Sequence, residues 1–126
     1  MENTKDPRIQ IPTDLETVQQ EIEKAAKERR DQIRNEAKDE LKSVKEEAKE
    51  LKDDVDNNFK GFKGGMKDSE LPYSREVVST AKEASKVIKK GIDADLEESQ
   101  DRINFDRDQR INSIDNMLDE SNDRRR

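Results

Sequence analysis

Histidine and cysteine are both missing from this 126-residue chain. Their absence excludes thiol chemistry, disulfides, zinc fingers and the Ser-His and Cys-His nucleophile pairs. Carboxylates, amines and a single phenol, Tyr73, are what remains. Three short patterns could still carry chemistry. Asp93-Ala94-Asp95 spaces two carboxylates like the start of a calcium loop, but the EF-hand glycine and the closing bidentate glutamate are missing. That segment reads as a solvated acidic face. Lys89-Lys90-Gly91 lacks the earlier glycine and the strand of a phosphate loop. Gly61-Phe62-Lys63-Gly64-Gly65 has the glycines of a nucleotide-binding loop, yet no strand leads into it, so it reads as a turn. No catalytic, cofactor-binding or metal-ligating residue is assigned, and the protein is expected not to be an enzyme.

The composition explains why. Charged residues make up 46% of the chain and apolar ones 28%, whereas ordinary domains are near half apolar. A conventional globular core is therefore out of reach. The 32 acidic and 26 basic residues nearly cancel, to a net charge of −6. Disorder asks for low hydrophobicity and high net charge together; here the signs alternate at helical spacing instead. Glu23–Lys27, Asp31–Arg34, Asp39–Lys42 and Glu46–Lys49 are acid-first pairs that each support a helix by about 0.2–0.5 kcal/mol. Long exposed helices follow. The start, Met1 to Asp6, lacks a signal peptide's apolar stretch, and no apolar run approaches the ~20 residues of a membrane span. A cytoplasmic or intravirion location is the expectation.

Breakers divide the chain. Pro7 and Pro12 bracket an extended N-terminal arm (1–12), and Thr13-Asp14-Leu15-Glu16 has the form of a capping box opening a first helix over 13–60. A glycine-rich turn is expected over 61–74 and a second helix over 75–120, capped by Ser74, with a candidate kink at Gly91. A basic tail (121–126) closes the chain.

Within the helices the apolar residues recur every 11 positions. Ile22, Ile33, Val44 and Val55 form one series, Ala26, Ala37, Ala48 and Phe59 another, and Ala81, Ile92, Ile103 and Ile114 a third. Eleven residues in three turns, about 3.67 per turn, keep such a stripe nearly straight or wind it slightly right-handed. The repeats KERRDQIRNEA, KDELKSVKEEA and KELKDDVDNNF resemble those of late-embryogenesis-abundant proteins, exchangeable apolipoproteins and right-handed stalk coiled coils. That resemblance covers about Glu16 to Phe59 and singles out no family, since unrelated families share the pattern. The stripe is narrower and less aromatic than lipid-binding helices usually carry.

Two helices of similar length around a turn predict an all-α antiparallel hairpin. The expected register pairs Ile22 with Ile114, Ile33 with Ile103, Val44 with Ile92 and Val55 with Ala81. It also sets Lys82, Lys86, Lys89 and Lys90 against Asp54, Glu50, Glu47 and Glu46. One thin seam buries too little apolar area to offset the ordering of two long helices. A homo-oligomer or larger assembly is therefore expected. Leu15, Val18, Leu41, Leu51, Val78, Leu96, Ile111 and Leu118 would widen the stripe for a dimeric four-helix bundle.

Partner recognition is expected where the repeat fails. The candidates are Ile9 and Ile11 in the strand-like arm, the apolar turn group around Phe62, Met66, Leu71 and Tyr73, and the terminal Arg124, Arg125 and Arg126. Three arginines in an acidic chain are too few for nucleic-acid recognition. The reading is a scaffold or spacer in a protein assembly, a virus or phage assembly component being one concrete form. In its acidic helical character and short basic end, the chain resembles internal scaffolding proteins. The alternative is an amphipathic protein that coats lipid surfaces or protects under stress.

Overall fold

The computed structural model describes residues 15–69 and 71–125. Helix α1 spans Leu15–Ser69 and helix α2 spans Ser74–Arg125, and the two pack against each other as an all-α helical hairpin. The N-terminal arm and the Thr13 capping box lie outside the described residues.

Several boundaries differ from those expected. α1 continues through Gly61, Gly64 and Gly65 to Ser69, so the glycine-rich segment is helix and not turn. Each glycine costs roughly 1 kcal/mol against alanine in a helix, but none of them breaks the hydrogen-bond ladder. Pro72 does. A proline disfavours helical geometry in the residue before it and cannot donate to a preceding turn. The helix ends three residues earlier, where the Ser69 hydroxyl donates to the Met66 carbonyl over 2.9 Å. α2 opens one residue before the expected start, with Ser74 inside the helix rather than capping it. The Tyr73 carbonyl accepts from the Val77 amide at 3.1 Å, which makes Tyr73 the capping residue, at a left-handed φ of 63°. α2 then passes Gly91 without interruption and takes in residues 121–125, expected as tail.

Contacts divide the chain into two compact units. The first comprises Met1–Lys38 and Phe105–Arg126, the second Asp39–Asn104. In the first unit Arg30 pairs with Asp115 at 2.9 Å and Glu36 with Arg110 at 3.4 Å. In the second, Lys52 pairs with Asp93 and Asp56 with Lys89, both at 2.8 Å. The residue numbers of each pair add to 145 or 146, whereas those of the expected pairs add to 136. The register is therefore displaced by nine or ten residues, because the turn is centred near Pro72–Tyr73 and not near Asp68. Val44 and Leu51 both line a groove with Ile92, and Val55 lines another with Ala81 and Ile88, where Phe62 also lies.

Candidate functional site

Among the described residues, the apolar groups that become buried do so in the seam between the helices. Ile33, at 2% exposure, Ala37 and Ala48 are its only buried residues among those described. Ile22, Val44 and Val55 on α1 and Ala81, Ile92, Ile103 and Ile114 on α2 are half-buried.

A further row completes the repeat on α1. Gln19, Arg30, Leu41 and Lys52 are also half-buried and again 11 residues apart. On α2, Val78, Lys89, Gln100 and Ile111 form one such row and Ser74, Ser85, Leu96, Arg107 and Leu118 another. The seam of each helix is thus three residues wide per repeat. Apolar periodicity alone could not reveal this, because charged residues hold several of the positions. Their aliphatic stems cover the seam while their charged heads reach its edge. Among the described residues, Arg30, Lys52 and Lys89 make three of the four cross-helix ion pairs from these positions. Residue type hid them; spacing would have found them.

The same fact changes the picture of the widened stripe. Val18, Leu41, Val78, Leu96, Ile111 and Leu118 are half-buried, while Leu15 and Leu51 stay exposed. The expected charge matches also change. Lys89 pairs with Asp56, and Lys86 reaches Glu83 on its own helix at 3.5 Å. Lys82 lines a groove with Lys63 and Lys67 instead of meeting Asp54.

The expected turn cluster does not gather at the turn. Phe62 and Met66 belong to α1, Met66 half-buried and Phe62 beside Val77 and Ala81 in an open groove. Leu71 and Tyr73 do occupy the connection and are exposed, Tyr73 by 77%. Arg124 and Arg125 lie on the backbone of α2, and Ile9, Ile11 and Arg126 fall outside the described residues.

The patterns weighed for chemistry are separated in space. Asp93 turns to Lys52, whereas Asp95 lines a different groove with Glu47 and Leu51. Among the described residues, no group of three acidic side chains converges as a metal site would require. Gly61–Gly65 and Lys89–Gly91 are helical, so their amides are engaged in the helix ladder and do not cradle an anion. No helix of the described residues is long and apolar enough to cross a membrane.

No family model matches this chain, and neither a curated protein nor a solved structure does. The surfaces themselves must carry the functional argument. Leu51, Phe62, Val77 and Ile88 are all at least 40% exposed and flank the seam in the second unit. Phe105 and Met117 are exposed on α2 in the first.

Proposed function

We propose that this protein is a non-enzymatic structural or assembly protein, a helical hairpin that serves as scaffold or spacer within a larger protein assembly. One observation carries the reading. Among the described residues the hairpin buries only three side chains, yet it leaves ten large hydrophobic ones exposed. A fold whose own seam is so thin gains stability by mass action when something binds the folded form. Protein partners, a second copy included, would supply the missing burial. A virus or phage assembly is one setting in which such a spacer would serve.

Circular dichroism over a dilution series, with and without anionic vesicles, tests this against a lipid-coating role. The assembly reading expects a helical protein in plain buffer, with a melting temperature that rises with concentration and ignores vesicles. A chain that is mostly coil until vesicles are added refutes it and establishes the lipid role.

A further inference from the structure

The second unit carries two grooves of opposite charge. Near the turn, Phe59 and Val78 form an apolar floor, with Lys63 and Lys67 of α1 on one rim and Arg75 and Lys82 of α2 on the other. Further along, Leu51, Ile92 and Leu96 floor a second groove whose charged rim residues are Glu47 and Asp95. Between the two grooves, opposite charges face each other across the seam, as in Lys52–Asp93 and Asp56–Lys89. At the turn, cations face cations. Among the described residues none of Lys63, Lys67, Arg75 or Lys82 forms an ion pair.

The segment charges follow the same division. Residues 57–91 carry eight basic and four acidic groups, whereas 39–56 and 92–104 together carry five basic and thirteen acidic. The unit is thus cationic at the turn and anionic away from it.

Helical phase sets the two grooves on opposite flanks. On α1, Glu47 and Leu51 fall to one side of the seam row Val44–Ala48–Val55–Phe59, and Lys63 and Lys67 to the other. On α2, Asp95 falls to the first side of Ala81–Ile92, and Lys82 and Arg75 to the second. The 16 residues from Glu47 to Lys63 separate the grooves by about 24 Å along the helix.

We propose that the cationic groove is covered by a second copy of this chain, which presents its acidic groove. Glu47 and Asp95 of one copy would neutralise the facing cations of the next, and Leu51 would meet the floor at Phe59 and Val78. The two patches differ and lie on opposite flanks, so the contact is heterologous. Each copy keeps one patch of each sign free, and the association propagates head to tail instead of closing as a symmetric dimer. This inference rests on the assembly role proposed above and specifies how its self-association is built.

Charge reversal tests it. Changing Lys63, Lys67, Arg75 and Lys82 together to Glu makes both grooves acidic, and Glu47→Lys with Asp95→Lys makes both basic; all six side chains are exposed, so the fold has no reason to change. Sedimentation velocity on the full chain at low salt is the readout, with circular dichroism confirming helicity. Wild type should grow beyond a dimer as concentration rises, and growth should fade between about 0.05 and 0.5 M salt as screening shortens. Each variant alone should need at least tenfold higher concentration to associate, and their equimolar mixture should recover wild-type growth. Variants that sediment like wild type overturn the groove assignment while leaving the assembly role intact, as does a mixture that stays monomeric. A wild type that remains monomeric, yet binds anionic vesicles through Lys63 and Lys82, overturns both.

Discussion

Ile33 is the most buried side chain described, and its truncation has the largest consequence that can be worked out for this fold. Ile33→Ala removes three carbons from a site that is 2% exposed. At about 0.8 kcal/mol for each buried methylene, the transfer cost is roughly 2.4 kcal/mol. The residual cavity adds to that, so the loss should be about 3 kcal/mol, within the usual range for isoleucine to alanine. Ile114, half-buried in the same unit, should cost about half as much when truncated. Urea melts followed by helical circular dichroism give both numbers. A double-mutant cycle then probes the register. The ion pairs Arg30–Asp115 and Glu36–Arg110 bracket Ile33 and set it level with the stretch around Ile111. Ile33 and Ile111 should couple by more than 0.5 kcal/mol, as contacting residues do, while Ile22 and Ile114, about 14 Å apart along the seam, should be additive. A loss below 0.5 kcal/mol for Ile33→Ala, or coupling only in the second pair, would refute the packing described.

The glycines of α1 and α2 offer a gain in place of a loss. A methyl group at Gly64 or Gly91 would meet nothing within 4 Å, so Gly64→Ala and Gly91→Ala should each stabilise by about 0.8–1 kcal/mol in the same melts. Tyr73 holds a left-handed φ that costs an L-residue roughly 1–2 kcal/mol, and its exposed ring contributes little packing. Tyr73→Gly should therefore raise the melting temperature by a few degrees; a drop would mean that the ring is held by contacts this structure does not contain.

The hairpin itself could be read from the sequence, since 11-residue spacing of Ile22, Ile33, Val44 and Val55 demands helices with one narrow stripe. The position of the turn could not be read as well. Glycine density at 61–65 drew the boundary forward, although glycine only weakens a helix and proline ends one; Pro72 was the stronger signal. That single choice displaced every cross-helix pair, because in an antiparallel hairpin the turn fixes the register. Matching the isoleucine series did not guard against the error, as equal periods align in more than one register. That Arg30, Lys52 and Lys89 hold seam positions escaped notice for a chemical reason. An apolar count cannot see a lysine whose stem lies in a seam. The opposed grooves were hidden more deeply, since Lys63 and Lys82 become neighbours only once the register is known.

A seam that repeats itself also makes length a variable the fold can change in steps. Adding one 11-residue unit to both arms would restore every neighbour relation outside the insertion. The same addition to one arm alone would leave everything beyond it mismatched. Because Pro72 marks the place from which both arms are counted, spacers of several graded sizes could arise from this one plan without any new packing solution.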